Sequence, residues 1–190
     1  KGNDTLLTFI DNTEEFVSEV FRQQRIKNEI IKNNLNVVYT PLHGSGRVPV
    51  SMILKRDGFN CVELVKEQAN DDGNFSTVKS PNPEDKEALT LGIELAKKLN
   101  ADIVLGTDPD CDRVGIAVKD ANNEYKLLTG NQIGSLLMDF IIRHTDLSEL
   151  EKPAIVKTIV TSELGAKIAE KNDIEVFSTL TGFKFIGEKI

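Results

Sequence analysis

The sequence predicts an α/β fold with a mixed, mostly parallel β-sheet flanked by helices, followed by a second, truncated α/β unit. Short β-rich runs alternate with amphipathic segments of helical period, an order that is typical of βαβ units. Turn-forming glycine, proline, asparagine and aspartate residues separate these segments. The 190 residues exceed the roughly 150 of an average domain, which favours one complete domain and part of a second.

In the N-terminal half, the apolar pattern predicts helices and strands in turn. Apolar residues repeat at helical spacing over residues 16–31, behind two glutamates whose charges suit a helix N-terminus. Asn82 and Pro83 predict the start of another helix, as N-cap and first helical residue, with an apolar face that runs to Leu99. Strands are predicted at 35–40, 61–65 and 102–106, and a further helix at 48–57.

The C-terminal half begins with a predicted hairpin and then repeats the strand–helix pattern. Asn122 and Asn123 separate two extended apolar runs, which indicates a β-hairpin. Strands are predicted at 114–118, 125–128, 154–160 and 174–177, and helices from 130 and at 163–171. We expect a complete domain over residues 1–128 and an incomplete one over residues 129–190.

Composition argues against two broad classes of protein. The 23 basic against 30 acidic residues give a net charge of −7, which argues against a nucleic-acid partner. The apolar runs are too short to span a bilayer, so no membrane association is expected. Two cysteines make no disulfide framework and no signal peptide is recognisable, so a cytoplasmic location is expected. The missing initiator methionine and an end in what reads as a starting helix predict a piece of a longer protein.

Three acidic residues directly after a predicted strand are the strongest chemical signal. Asp108, Asp110 and Asp112 alternate with other residues, and alternate residues of an extended backbone point to the same side. Their carboxylates would repel one another, and a divalent cation relieves that repulsion. All-oxygen ligands suit a hard ion such as Mg²⁺, and ligand sites lie beyond the carboxyl ends of strands in open α/β sheets. Arg113 adds a planar fork suited to phosphate.

This loop has other possible interpretations. The acids could form a solvated turn without a ligand. An EF-hand is excluded, because Arg113 stands where its glycine is required and Lys119 where its bidentate glutamate is required. Cys111 alternates away from the carboxylates, which indicates a packing residue rather than a ligand.

Two further loops carry weaker signals. Gly44-Ser45-Gly46 follows a strand and precedes a helix, which fits either an anion-binding turn or a tight β-to-α connection. The adjacent His43 is a candidate for lining a substrate site, with a structural role as the alternative. In the second loop, Thr181, Gly182 and Lys184 could bind a phosphate or a sugar, although a single lysine in a loop is commonly just solvated.

The stretch Gly106–Val118, with the sequence GTDPDCDRVGIAV, closely resembles the metal-binding loop of the α-D-phosphohexomutases, the phosphoglucomutase/phosphomannomutase family. Four more stretches match the family in the right order along most of the chain. They are VVYTPLHGSG (Val37–Gly46), DGNFSTVKSPNPE (Asp72–Glu84), LTGNQIGSLL (Leu128–Leu137) and TLTGFKFIGEKI (Thr179–Ile190).

The resemblance implies a four-domain enzyme in which a phosphoserine of the first domain exchanges a phosphoryl group with a hexose monophosphate. This chain would cover the second domain and the opening of the third. By the same resemblance, Asp108, Asp110 and Asp112 are the Mg²⁺ ligands and Arg113 lies beside the phosphoserine. The loop with Thr181, Gly182 and Lys184 would face the sugar phosphate, and glucose 1,6-bisphosphate would activate the full enzyme.

The motifs for the phosphoserine, the sugar loop and the fourth domain are not in this sequence, so the isolated chain is expected to be inactive. Its partners would be a sugar phosphate and the other domains of the same enzyme. The preferred sugar (glucose, mannose or a pentose) and the oligomeric state do not follow from these residues. Two alternatives stay open: a haloacid-dehalogenase-like phosphatase with Asp108 as nucleophile and Asp110 as acid, and a non-enzymatic acidic α/β interaction module.

Overall fold

A computed structural model describes residues 8, 10–26 and 29–190 and arranges the described strands in two β-sheets. The described helices are α1 (Thr13–Arg22), α2 (Glu29–Asn34), α3 (Arg47–Arg56), α4 (Thr90–Leu99), α5 (Gly130–Arg143), α6 (Glu163–Lys171) and α7 (Phe183–Gly187). The described strands are β1 (Asn36–Thr40), β2 (Cys61–Leu64), β3 (Ile103–Thr107), β4 (Val114–Lys119), β5 (Tyr125–Leu128), β6 (Ala154–Thr158) and β7 (Glu175–Thr179).

The larger sheet has the strand order β2-β1-β3-β4-β5. Strand β1 pairs in parallel with β2 and β3, whereas β4 pairs antiparallel with β3 and β5. The predicted α/β class is therefore confirmed, but the sheet is mixed rather than mostly parallel. The reason lies in the connections, because parallel neighbours need a crossover of a dozen or more residues. The short links 108–113 and 120–124 allow only antiparallel turns.

The core of this sheet lies between its central strands and α4. Val38 of β1 and Val104 of β3 are fully buried, as is Ala96 of α4. The helix approaches the sheet closely at Gly92, where an added Cβ atom would lie 2.9 Å from the Cγ1 atom of Val104. This packing holds β3, and with it the start of the acidic loop, in the middle of the sheet.

Helix α4 begins at Thr90, seven residues later than the start at Pro83 that Asn82 predicts as N-cap. The side chain of Asn82 does accept a hydrogen bond from the backbone N–H of Glu84 at 3.1 Å, but it caps a series of turns instead of a helix. Pro83 is fully buried, and its carbonyl oxygen would lie 1.9 Å from a Cβ atom on Gly115 of β4. Tertiary packing of this segment against the sheet therefore delays the helix.

The apolar repeat over residues 16–31 does not form one continuous helix. Helix α1 ends at Arg22 and α2 begins at Glu29, and residues 27 and 28 lie outside the described part of the chain. The guanidinium group of Arg56 joins α3 to α1, since it donates to Ser18 Oγ at 2.9 Å and to a Glu14 carboxylate oxygen at 2.5 Å.

The smaller sheet consists of the parallel strands β6 and β7. Thr129 and Gln132 form a capping box at the start of α5, and α5 packs with α6 over a small core around Ala169. Several apolar side chains of this part are exposed, among them Leu136 and Phe183. The division into 1–128 and 129–190 stays a prediction. None of the described helices is long and apolar enough to cross a membrane.

Candidate metal centre

The carboxylate loop, residues 108–113, is a tight link between two paired strands. Thr107 at the end of β3 lies opposite Val114 at the start of β4. Both ends of the loop are therefore anchored in the sheet, and its first residue emerges from a buried strand.

Within this loop, Asp108 is the organising residue. The residue is 6% exposed, and its Oδ1 atom accepts the backbone N–H of Arg113 at 2.9 Å. The backbone N–H of Cys111 donates to the Asp108 carbonyl oxygen at 3.0 Å, and Cys111 adopts a left-handed conformation with φ of 62°. These contacts curl the backbone around one carboxylate and leave its second oxygen, Oδ2, for other contacts.

The three predicted metal ligands come together in the structure. One carboxylate oxygen from each of Asp108, Asp110 and Asp112 lies within 4.8 Å of the other two. The hydrogen bond with Asp108 and the negative charge of Asp110 raise the pKa of Asp112 above its ordinary value. The cluster thus concentrates negative charge in a small volume. Three converging oxygen donors fit a hard divalent cation such as Mg²⁺.

Arg113 lies beside the three carboxylates but makes only long ion pairs with them. Its Nε atom lies 3.8 Å from Asp108 Oδ2 and 3.9 Å from Asp112 Oδ1, and the side chain is 61% exposed. Ion pairs of this length on an exposed side chain contribute little stability. Most of the guanidinium donors therefore remain available to a bound anion.

The loop after β1 supports the carboxylate loop from the side, a contact that sequence reasoning missed. The backbone N–H and the hydroxyl of Ser45 both donate to the carbonyl oxygen of Pro109, at 2.9 and 3.0 Å. Tyr39 contributes from the same strand, with its hydroxyl 2.9 Å from Thr107 Oγ1, and burial raises the pKa of Tyr39 to about 12. Two glycines flanking Ser45 were the only signal of this close approach.

The contacts of Gly44-Ser45-Gly46 bear on its two interpretations, an anion-binding turn or a tight β-to-α connection. The N–H of Gly44 donates to Pro41 O and that of Ser45 to Pro109 O, both at 2.9 Å. These donors are satisfied inside the chain, which favours the tight β-to-α connection over an anion-binding turn.

His43 is 7% exposed, and both of its ring nitrogens have partners within the chain. Nδ1 lies 2.8 Å from the carbonyl oxygen of Asn70, so it must donate, and Nε2 lies 2.8 Å from Thr77 Oγ1. This geometry favours the structural alternative, and the substrate-binding role of His43 stays a prediction.

Thr181 and Lys184 are exposed in the loop between β7 and α7, and Gly182 adopts φ of 133°. The Lys184 ammonium lies 4.7 Å from the centroid of the Phe185 ring. In the described part of the chain, no hydrogen bond or ion pair links these residues to the carboxylate loop. Their role in substrate binding stays a prediction.

Two family models match the chain in succession. Residues 14–122 match the model described as phosphoglucomutase/phosphomannomutase, alpha/beta/alpha domain II, and residues 129–190 match that of domain III. The first match alone covers more than half of the chain. This chain belongs to the phosphoglucomutase/phosphomannomutase family. The resemblance inferred from the motifs is thereby confirmed.

Full-length relatives of the family are much longer than this chain. A phosphoglucomutase of Staphylococcus aureus (strain MRSA252) is 42% identical over 178 residues, which cover 94% of this chain and 31% of that protein. The chain therefore spans about a third of the length of this phosphoglucomutase.

Solved structures of the family share the fold at low sequence identity. A phosphoglucomutase/phosphomannomutase family protein from Burkholderia thailandensis matches with a TM-score of 0.72 at 20% identity, over 94% of this chain and 35% of that chain. An Aspergillus fumigatus N-acetylphosphoglucosamine mutase variant, solved in complex with glucose 1,6-bisphosphate, matches with a TM-score of 0.55 at 16% identity, over 92% and 33%.

Proposed function

We propose that this chain is a segment of an intramolecular phosphotransferase that interconverts hexose 1-phosphate and hexose 6-phosphate, and that it supplies the Mg²⁺-binding loop. The observation that carries the proposal is the convergence of three carboxylates at the end of β3 in a chain of the phosphoglucomutase/phosphomannomutase family. The reaction would run through a phosphoserine and a hexose bisphosphate, as the resemblance implies.

The residues of the carboxylate loop have distinct tasks in this proposal. Asp108, Asp110 and Asp112 would hold the cation, Asp108 from a position that a backbone hydrogen bond fixes. Bound Mg²⁺ would act as a Lewis acid toward a phosphoryl oxygen. The exposed guanidinium of Arg113 donates to the same phosphoryl group, where charge develops during transfer.

The remaining contacts of the enzyme would come from outside the carboxylate loop. Thr181, Gly182 and Lys184 bind the sugar phosphate, since the TGFK sequence that they share resembles the family's third-domain loop. Glucose 1,6-bisphosphate is the proposed activator, a compound bound by one structural relative. We place the enzyme in the cytoplasm because Cys61 and Cys111 are both free thiols. The other domains of the enzyme complete the site.

A hybrid enzyme tests the proposal. The 178 matched residues of the Staphylococcus aureus phosphoglucomutase are replaced by those of this chain, and conversion of glucose 1-phosphate into glucose 6-phosphate is measured with Mg²⁺ and a trace of glucose 1,6-bisphosphate. We expect turnover in the hybrid and none in the isolated chain, which has no phosphoserine motif to donate the phosphoryl group.

Asp110→Asn in the hybrid removes one charged ligand and should lower kcat by at least about 10²-fold, the scale of one lost transition-state contact. Asp71→Asn is the matched control, because Asp71 is exposed and lies outside the carboxylate loop. A folded hybrid that keeps full activity with Asp110→Asn would contradict the proposed metal site.

The phosphatase alternative makes a different prediction for the isolated chain. A nucleophilic Asp108 would hydrolyse p-nitrophenyl phosphate and gain one phosphoryl group, detectable by mass spectrometry. The backbone hydrogen bond from Arg113 to Asp108 Oδ1 and the family membership both favour metal binding by Asp108 instead. The interaction-module alternative predicts no response of the chain to divalent ions.

A further inference from the structure

We propose that the GSG turn (Gly44, Ser45 and Gly46) positions the carboxylate loop for metal binding, with Ser45 as the positioning residue. The inference rests on the proposed function, because it concerns the same metal site. In this proposal the loop after β1, which carries none of the three carboxylates, helps to set the distances between them.

Ser45 fixes the carbonyl group of Pro109 with two donors. The backbone N–H lies 2.9 Å from that oxygen and the hydroxyl oxygen 3.0 Å. The carbonyl of Pro109 and the N–H of Asp110 belong to one planar peptide unit. The two hydrogen bonds therefore set the plane from which the backbone of Asp110 starts, in the middle of the three carboxylates.

The two glycines of the turn allow a close approach to the other side of the loop. A Cβ atom on Gly44 would lie 2.3 Å from Pro109 Cα. A Cβ atom on Gly46 would lie 2.7 Å from Thr107 Oγ1 and 2.8 Å from Cys111 Sγ. The GSG turn thus packs along residues 107, 109 and 111, with no room for a side chain at either glycine.

Packed residues and ligand residues alternate along the loop. Residues 107, 109 and 111 contact the GSG turn, whereas the acids at 108, 110 and 112 gather their oxygens within 4.8 Å. Carboxylates at this spacing repel one another in the absence of a cation. Contacts on the packed side therefore keep the ligand side at a spacing that the acids alone would not hold.

The segment before the GSG turn is itself held in a costly conformation. Leu42 and His43 have φ values of 46° and 64°, in the left-handed region, which costs about 1–3 kcal/mol per non-glycine residue unless the surroundings enforce it. The hydrogen bonds of His43 to Asn70 O and Thr77 Oγ1 supply that enforcement. Strain held at this point indicates that the position of the turn matters.

The test compares Mg²⁺ binding by the 190-residue chain and two serine variants. Ser45→Ala removes the hydroxyl donor from an exposed side chain and keeps the backbone N–H. Ser135→Ala is the control, because Ser135 Oγ also donates to a backbone carbonyl, that of Asn131 at 2.8 Å, within α5. The dissociation constant is obtained from a Mg²⁺ titration in which the backbone chemical shifts of residues 106–113 are monitored by NMR. Backbone ¹⁵N relaxation of the metal-free chain is the second readout.

Ser45→Ala should weaken Mg²⁺ binding about tenfold, the lower end for a residue that supports metal ligands, and should increase the fast motion of Asp110. Ser45→Thr should restore both, and Ser135→Ala should change neither. Wild-type affinity and wild-type relaxation in Ser45→Ala would overturn the inference and leave the metal site standing. A wild-type chain without any response to Mg²⁺ would instead contradict the proposed function, and the relaxation data would still decide whether Ser45 holds Asp110 in place.

Discussion

The carboxylate loop and the loop of Thr181–Lys184 both follow the carboxyl end of a strand, yet the chain holds them differently. The first contains a buried Asp108, backbone hydrogen bonds to its carboxylate and its carbonyl oxygen, and the Ser45 contacts to Pro109. In the second, Thr181 and Lys184 are exposed, and the neighbouring Phe183 is 81% exposed.

This difference means that the two loops are preorganised for a ligand to different degrees. Preorganised donors lose little entropy on binding, so the carboxylate loop should bind a cation within this chain alone. The exposed Lys184 must lose side-chain freedom when it binds a phosphate. We therefore expect sugar phosphate binding to depend on contacts that the rest of the enzyme supplies.

Arg113→Lys in the hybrid enzyme should break the activity assigned to the carboxylate loop. Lysine cannot reproduce the planar fork of the guanidinium group, so kcat should fall by about 10²–10³-fold while KM changes less. The variant should melt close to the wild type, because its ion pairs are long and exposed. Steady-state kinetics and a thermal melt check both points. A kcat within about twofold of the wild type would remove the catalytic role from Arg113.

Gly44→Ala tests how rigidly the first loop is held. The new methyl group would lie 2.3 Å from Pro109 Cα, and a backbone atom cannot move aside cheaply, so we expect a loss of about 1–3 kcal/mol of stability. The melting temperature should fall by several degrees and the Mg²⁺ response should weaken. Gly73→Ala is the control, since nothing lies within 4 Å of the added atom. Equal melting of both variants would show that the loop yields easily.

The smallest expected effect is a difference in melting temperature between Asp112→Asn and Lys184→Met. Comparing these two variants contrasts the two loops directly. The raised pKa of Asp112 means that the folded chain disfavours its charged form, so this residue lowers stability as the pH rises above its ordinary pKa. Without metal at neutral pH, Asp112→Asn should raise the melting temperature by about 1–2 °C, the scale of a surface substitution. Lys184→Met should leave it unchanged.

The pH and the metal provide the controls for that comparison. Near pH 3 the gain of Asp112→Asn should vanish, because the carboxyl is protonated in both folded and unfolded chains. With millimolar Mg²⁺ the order should reverse, because the wild type gains binding energy that the variant loses. A gain that persists at low pH would mean that charge crowding is not its cause.

Local sequence patterns predicted the strands and helices well where neighbours in the chain decide them. The run before Asp108 is a strand, the hairpin around Asn122 is present, and the acids at alternate positions converge. The failures occur where distant segments compete. Asn82 caps turns instead of a helix, because Pro83 packs on Gly115 in a strand 32 residues further along the chain.

The sequence by itself determined the α/β class, the family and the three carboxylates, because alternation, turn residues and contiguous motifs are local properties of the chain. Only the tertiary structure decided the mixed pairing of the sheet and the contact of Ser45 with Pro109. These two residues are 64 positions apart, and they meet because β1 and β3 pair side by side in parallel, so that both strands end at the same edge. Strand order is a property of long-range packing, and no local pattern encodes it.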